Sequence, residues 1–547
     1  MKRIFFVVLF YGFFVKAVPF EGSQIVISGP NHYAIEAGTR MAEKGGNVVD
    51  VAVTVGLVLS VTNPYHAALG GGGFALIKMK GHPVVVLDFR EVAPASMDKN
   101  YYLSKGEMAS RLGGTAVGVP GFPAGLWAMH QKYGKLKWKT LFKEALHLAK
   151  NGFRVSGEWV DRVHKASKHF SASGGKKFFL KKGKVFYRPG EVLRQKALYQ
   201  ALKLFRNKGA SGFYKGRVAQ DIVLSVNNAG GEMTLKDLEN YQVKWRQPME
   251  ASFYNYHLYL MPPPSSGGVV IKTALYLLEH LHPEKFEAFS GEEYHLIGEI
   301  LSRSFRGRAL LGDPDFYSNP LKKLLSEKYL SFLKKSISQE KAIHLKPLDL
   351  KDLKESSQTT HYSILNKDGD AVSLTVTLNG NFGSGVVSEK YGIALNNEMD
   401  DFTTHPGKPN MYGLIQGSGN YVQAGKRPLS SMSPTLVEKD RKIVMSLGAP
   451  GGPRIISGVI QVLYRTLVRK MDMDSAIQAR RVHHQFLPKV LFVDEVGFSP
   501  DTIRVLEKKG HQVKRSWNSR VYGVWLKPSG ILEGAFDSRG DGAVSGF

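Results

Sequence analysis

Hydrophobic positions change period several times along the chain. Residues 31–43 carry apolar side chains at helical spacing, and Gly45-Gly46 breaks the pattern. Residues 48–61 are apolar on nearly every face, as in a fully buried helix. Beyond Gly70-Gly71-Gly72-Gly73, the runs 74–79 and 83–89 have strand character. Gly81-His82 lies between them, which predicts a hairpin. Helical spacing returns over 136–151, 193–207 and 269–281. Two Gly/Pro-rich stretches, 113–125 and 261–268 (MPPPSSGG), sit tightly between apolar periodic segments, so neither reads as a flexible linker. Residues 321–355 are rich in Lys, Leu and Ser and predict exposed helix running into a surface segment.

From 359 onward the period is two. The runs 359–365 (TTHYSIL) and 371–378 (AVSLTVTL) flank Asn366-Lys367-Asp368-Gly369-Asp370, a strong hairpin signal. A second hairpin pairs 435–437 with 442–447 and turns at Lys439-Asp440. It leads through 448–454 (GAPGGPR) into an apolar helix over 455–468. Hairpins in both halves, interleaved with helices, predict sheets covered by helices in a layered α/β body.

Composition narrows this picture. The 547 residues are 43% hydrophobic and 11% aromatic, which fits a folded chain of one large body or several domains. Cysteine is absent, which excludes disulfides, thiol nucleophiles and cysteine metal sites. The formal charge is +27, with basic residues scattered apart from one denser run at 176–184 (KKFFLKKGK). No zinc knuckle, helix-turn-helix spacing or RNA-binding signature accompanies them, so a solvated lysine-rich surface is expected and no nucleic-acid partner. At the N-terminus, Lys2 and Arg3 precede an apolar run over 4–14 and then Val15-Lys16-Ala17. This reads as an export signal over 1–17, too short to span a bilayer comfortably, with small residues placed for a cut after Ala17. No second long apolar stretch follows, so the mature chain is expected to be exported, periplasmic or secreted, without a stable membrane span.

Several common catalytic patterns are missing: there is no G-x-S-x-G, H-E-x-x-H or G-x-x-x-x-G-K-[ST]. His483-His484 are adjacent, face opposite ways on a strand, and make weak metal ligands. The hairpin is more informative. Symmetric pairing about 367–370 sets 359 opposite 378 and 360 opposite 377, which brings Thr359 and Thr377 side by side at its open end. A threonine hydroxyl needs a base, and one known solution makes the threonine an N-terminus whose own α-amine takes the proton. That amine has an ordinary pKa near 8, well matched to the task. On pattern alone, a strand that happens to begin Thr-Thr is the stronger reading.

Residues 357–363 (SQTTHYS) also resemble the processing site and nucleophile of the γ-glutamyltranspeptidase (γ-glutamyltransferase) family. The resemblance runs on through Asn63-Pro64 with the tetraglycine, 88–94 (DFREVAP), Val119-Pro120-Gly121, 262–268 and 311–316 (LGDPDF). After the proposed cut it includes 396–402 (NNEMDDF), 427–434 (RPLSSMSP), 448–454 and 537–542. It implies the αββα N-terminal-nucleophile hydrolase fold, two stacked sheets between helix layers. It further implies self-cleavage at Gln358–Thr359 into a large subunit, 18–358, and a small catalytic subunit, 359–547, which stay together as a heterodimer.

The implied roles follow the family's motifs. Thr359 is the nucleophile, Thr377 holds its freed amine, and Gly451-Gly452 form the oxyanion hole. Glycine N–H groups at a turn before a helix suit that task on physical grounds as well. Arg90, Ser430 and Ser431 meet the substrate carboxylate; Asn379, Glu398 and Asp401 meet its ammonium. Family members carry Glu or Gln at the place of Glu398. Residues 405–420 resemble a lid loop with Tyr412 as its gating aromatic. The implied activity is transfer of the γ-glutamyl group of glutathione and related amides to water or to an amino acid or dipeptide acceptor, with no cofactor and no metal. Two rivals are a glutaryl or cephalosporin-type acylase, against which Asp401 and Asn379 argue, and an inactive binding homologue, against which Thr359, Thr377 and Gly451-Gly452 argue.

Overall fold

The structure is a computed structural model that describes residues 19–172, 174–345 and 359–547. The export signal expected at 1–17 and Gln358 lie outside the described residues. Two seven-stranded antiparallel sheets stack face to face. The first runs in the order Ala543–Gly546, Ile25–Gly29, Thr360–Asn366, Ala371–Thr377, Gly72–Lys78, Val85–Phe89 and Lys244–Arg246. The second runs Phe20–Gly22, Leu532–Phe536, Tyr522–Leu526, Lys442–Gly448, Thr435–Lys439, Tyr256–Leu260 and Met249–Phe253. Helices cover both outer faces, so the expected αββα layering is present.

Alternation along the central hairpin assigns each side chain to a layer. Tyr362, Ile364, Val372, Leu374 and Val376 enter the core shared with helix Val48–Thr62, all of whose residues are buried. Asn47 starts that helix by accepting from the N–H groups of Val49 and Asp50, each at 3.0 Å. The opposite face of the hairpin meets the second sheet through short hydroxyls. Ser363 Oγ donates to Tyr522 O at 3.1 Å, Ser373 Oγ to Leu447 O at 3.0 Å, and Ser446 Oγ to Val372 O at 3.1 Å. Each such bond contributes about 1 kcal/mol net and fixes how the sheets align. Thr359 and Thr377 share the parity of Ser363 and Ser373, so they too point toward the space between the sheets.

Both sheets combine strands from before residue 346 with strands from after residue 358. Thr360–Asn366 pairs with Ile25–Gly29 on one side, and Ala371–Thr377 pairs with Gly72–Lys78 on the other. A chain cut at 358–359 would therefore leave two pieces sharing both sheets and both cores.

Most expected elements appear where the periodicity put them, with informative differences. The hairpin loop takes in Asn366: its Oδ1 accepts from the N–H of Asp368 at 3.0 Å and of Asp370 at 2.8 Å, and Leu365 pairs with Ala371. Pairing is thereby shifted by one residue, with Thr360 opposite Val376. The second hairpin turns at Asp440-Arg441, both with positive φ (51° and 62°), rather than at Lys439-Asp440. Helices Phe122–Tyr133 and Gly267–Leu281 begin inside the two Gly/Pro-rich stretches; proline is tolerated in a first helical turn, where its missing N–H costs little. The described part of the 321–355 stretch, 321–345, is less exposed than expected. Leu324, Leu330 and Leu333, on the helices Leu321–Leu324 and Glu327–Lys335, are buried.

Residues 336–345 are tied down. Arg303 Nη2 donates to Ser336 O at 3.0 Å and Ile343 O at 2.8 Å, and Ala342 N–H to Lys509 O at 2.7 Å. His295 Nε2 lies 2.9 Å from Ser338 O and must donate to it, so His295 Nδ1 accepts from His511 Nε2 at 2.8 Å. Burial holds both histidines below their ordinary pKa, His511 at about 3, as this neutral relay requires.

Candidate active site

The one-residue register shift sets Thr359 directly across from Thr377, and their hydroxyl oxygens lie 3.3 Å apart. Thr377 Oγ1 also accepts from the Asn379 N–H at 2.8 Å. Asn379 sits in the left-handed region (φ 67°), which turns the chain out of the strand and brings its side chain back beside the threonines. His361, the nearest imidazole along the strand, is no base for Thr359. Its Nδ1 is 2.8 Å from Thr375 Oγ1 and its Nε2 3.0 Å from Ser363 Oγ, and burial pulls its pKa down to about 3.

Opposite the threonines, the chain leaves strand Lys442–Gly448 and turns into helix Arg454–Leu467. Gly451 and Gly452 have φ of 131° and 55°, and a Cβ on Gly452 would lie 2.7 Å from the Tyr412 ring. Glycine is required there on both counts. Neither N–H makes a backbone hydrogen bond among the described residues. Two free donors before a helix N-terminus can stabilise a developing oxyanion.

The pocket beside Thr359 and Thr377 is lined by Arg90, Asn379, Glu398, Asp401, Tyr412, Ser430, Ser431 and Gly452, so it gathers the expected contact residues from distant parts of the chain. Arg90 is buried; it donates to Glu398 through Nη1 and to Asp401 Oδ2 through Nη2 at 2.6 Å. Burial opposes its charge, but Glu398 and Asp401 more than offset that and raise its pKa. Burial also raises the carboxyls, Glu398 well above the ordinary range and Asp401 less, despite the pull of Arg90. Ser430 is positioned by the proline-rich segment: its N–H donates to Pro264 O at 2.7 Å, and its carbonyl accepts from Ser266 N–H at 2.8 Å. That explains why 261–268 is no linker.

Two residues of the pocket region were not singled out from sequence. Arg308 is buried in the wall, donating to Gln416 Oε1 at 3.1 Å and Ser431 Oγ at 3.3 Å; burial lowers its pKa to about 10. Glu91 lies behind Arg90, with its carboxylate oxygens making no hydrogen bond and its pKa raised to about 7 by burial. Arg308 stands among other arginines at 303–308, and nothing in its spacing marks it. Glu91 was part of the 88–94 motif but carried no separate signal. Among the described residues no group of His, Asp and Glu is arranged to hold a metal; His483 Nδ1 is instead 2.7 Å from Ser457 Oγ.

Tyr412 lines the pocket. Its hydroxyl donates to Asn379 O at 2.7 Å, and its carbonyl accepts from Gln485 Nε2 at 3.2 Å. The surrounding segment is anchored to Asp401: Asn410 Nδ2 donates to Asp401 Oδ1 at 2.9 Å, while Gln416 and Asn420 donate to its carbonyl at 2.7 Å each. A covering aromatic anchored through hydrogen bonds can open without loss of the fold. With glycylglycine as acceptor, Tyr412→Ala and a variant shortened within 405–420 should still yield two fragments. Their ratio of transfer to hydrolysis should change at least about twofold. Equal ratios in wild type and both variants, at fixed acceptor concentration, would leave the segment no part in acceptor entry.

Comparison with known proteins bears on this geometry. Residues 34–547 match the family model described as "Gamma-glutamyltranspeptidase". The chain is 41% identical to a "Glutathione hydrolase proenzyme" of Pseudomonas sp. (strain A14) over 503 residues, covering 90% of this chain and 86% of that protein. It is 38% identical to the protein of that name from Escherichia coli (strain K12) over 545 residues, covering 97% and 93%. A crystal structure of Helicobacter pylori gamma-glutamyltranspeptidase superposes with a TM-score of 0.56 at 36% identity, covering 58% of this chain and 93% of that one. A cephalosporin acylase from Bacillus halodurans superposes with a TM-score of 0.86 over the whole of this chain and 99% of its own, but at 24% identity it shares the fold alone.

Proposed function

The chain belongs to the γ-glutamyltranspeptidase family, and from that premise we propose how its own residues carry out the reaction. The enzyme is a γ-glutamyltransferase with glutathione hydrolase activity. The observation that carries the site assignment is the 3.3 Å approach of Thr359 and Thr377 at the mouth of a pocket holding Arg90, Glu398 and Asp401.

Maturation comes first. Thr359 Oγ attacks the carbonyl carbon of Gln358, the peptide nitrogen leaves as the Thr359 α-amine, and water hydrolyses the resulting ester. The relatives' name, proenzyme, agrees with such a step. The products are fragments 18–358 and 359–547, held together by the shared sheets, with 1–17 removed on export.

In turnover, the new α-amine takes the Thr359 hydroxyl proton while Oγ attacks the γ-carbonyl of the substrate. Charge developing on the carbonyl oxygen is met by the N–H groups of Gly451 and Gly452. The leaving amine departs with the proton held by the α-ammonium, leaving a γ-glutamyl ester on Thr359. Water or an acceptor amine then attacks that ester by the reverse sequence of proton transfers. Thr377 orients the amine and hydroxyl of Thr359.

The glutamyl end is a zwitterion, and the pocket is built of opposite charges that pair with each other. A bound α-carboxylate takes the place of carboxylate partners beside Arg90, with Ser430 and Ser431 adding donors. The α-ammonium takes the place of guanidinium beside Glu398 and Asp401, with Asn379 as acceptor. A glutaryl amide lacks that ammonium and would leave the two acids opposed only by arginine, which disfavours the acylase reading. The decisive measurement is a denaturing gel of purified protein with N-terminal sequencing of the smaller band. The expected sequence is Thr-Thr-His-Tyr, in a preparation that releases the aniline from a γ-glutamyl anilide. A single uncut and fully active chain would overturn the scheme.

A further inference from the structure

Strand Phe153–Arg154 pairs with Val192–Leu193, so the 153–193 segment leaves the main body and returns to it at one place. Two aromatic side chains dock it: the Phe170 and Phe179 rings lie 5.1 and 4.8 Å from that of Phe382. The segment holds ten Lys and Arg against three acids, a net +7 and about a quarter of the whole chain's +27. All three acids are already paired. Glu158 meets Arg162 at 2.9 Å and Arg520 at 2.6 Å, Asp161 meets Lys165 at 2.7 Å, and Glu191 meets Lys181 at 2.5 Å. Lys168, Lys176, Lys177, Lys182 and Lys184 are exposed. Among the described residues no carboxylate lies within ion-pair reach of Lys176, Lys182 or Lys184. Lys165 and Lys168 also line a cavity of about 1120 Å3 with Arg111, Lys489 and Lys514, so the positive surface continues beyond the segment.

A stiff turn carries part of this charge. Lys182 and Gly183, with φ of 51° and 72°, form it, and it is closed by Lys181 N–H to Val185 O at 2.7 Å and Val185 N–H to Lys181 O at 3.1 Å. Behind it Phe186 stacks on His164 with ring centroids 3.7 Å apart, and Tyr187 meets Trp159 edge-on at 5.9 Å. Val185 itself is 59% exposed, directly beside Lys184. Lysines around one exposed aliphatic side chain suit a lipid surface, where ammonium groups meet headgroup phosphates as point charges and the apolar group enters the interface. Arginine, whose planar fork reads a single phosphate or a base edge, supplies only three of the ten cations, and Arg162 is committed to Glu158. No helix among the described residues is long and apolar enough to cross a membrane, so contact through this segment is peripheral.

We infer that the 153–193 segment is a docking surface for the anionic headgroups of a phospholipid membrane, with the Lys182–Val185 turn foremost. Export, as proposed above, would bring the folded chain past such a surface. Within a Debye length of an anionic leaflet, each lysine strengthens partition about fivefold. Salt shortens that length, so the association is reversible and weakens as ionic strength rises.

The test is cosedimentation of the purified protein with vesicles of phosphatidylglycerol and phosphatidylethanolamine, beside neutral phosphatidylcholine vesicles and a short DNA duplex. Wild type should bind the anionic vesicles at about 0.1 M salt, ignore the neutral ones, and be released at about 0.5 M. Lys176→Gln/Lys177→Gln/Lys182→Gln/Lys184→Gln should bind at least about a hundredfold more weakly. Lys322→Gln/Lys323→Gln/Lys328→Gln/Lys335→Gln removes the same charge from exposed positions elsewhere and should lose less than about tenfold. Neither set lines the glutamyl pocket, so retained hydrolysis of a γ-glutamyl anilide shows that both variants are folded. Val185→Trp should gain fluorescence quenching by brominated phosphatidylglycerol relative to wild type. No binding to anionic vesicles, equal losses in the two lysine variants, or no added quenching in Val185→Trp would overturn the inference. Binding to the DNA duplex as tight as to the vesicles would overturn it in favour of a nucleic-acid partner.

Discussion

Thr359→Ala is expected to remain one uncut polypeptide and to lose at least roughly a thousandfold in hydrolysis of a γ-glutamyl anilide. The effect is large because one oxygen serves twice, first against the Gln358 carbonyl and then against the substrate. Alanine removes the oxygen and, by blocking cleavage, also withholds the α-amine that would act as base. His361 cannot substitute, because it is held neutral by burial and committed to Thr375 and Ser363. Thr359→Ser keeps the hydroxyl and should mature, more slowly, because serine is less restricted at χ1. Two fragments from Thr359→Ala without added protease would contradict self-cleavage. The overall fold should survive in the uncut variant, since the sheets already interleave the two parts of the chain.

Asp401→Asn should mature normally and lose more than roughly tenfold on a γ-glutamyl anilide. A charge-assisted bond to a buried ammonium contributes about 2–3 kcal/mol. The substitution is nearly isosteric: the bonds from Gln416 and Asn420 go to the Asp401 carbonyl, and an asparagine Oδ1 can still accept from Asn410. Arg90 also keeps Glu398 as a partner. The loss should therefore fall on recognition of the amine. A glutaryl anilide, which has no ammonium, should be affected far less, and its rate relative to the γ-glutamyl compound should rise. Parallel losses on both substrates would remove Asp401 from the role of ammonium partner.

The local elements were legible because their signals are local. Alternation over 359–378 and its Asn/Asp/Gly loop specify a hairpin whatever surrounds it, and that hairpin alone brings Thr359 beside Thr377. The apolar run at 48–61 specifies a buried helix for the same reason. The one-residue error in register came from Asn366, whose side chain caps the loop by hydrogen bonds that composition does not display. Helices starting in Gly/Pro-rich stretches were hidden because those residues mark turns and helix starts alike.

Recognition was legible only through family motifs. Arg90, Glu398 and Ser430 come from three separate stretches, and nothing in their spacing announces a common pocket. Packing of the two sheets places them together, and it also recruits Arg308 and Glu91, which stand out only once their burial is known. A cationic cavity is likewise assembled from residues as far apart as Arg111 and Lys514, which in sequence were part of a scatter of positive charge. Periodicity, turn chemistry and the approach of Thr359 to Thr377 depend on neighbours within a few residues, so sequence alone could determine them. Which charges face each other, which donors are left free and which cavities adjoin depend on contacts hundreds of residues apart, and only the tertiary structure decides those.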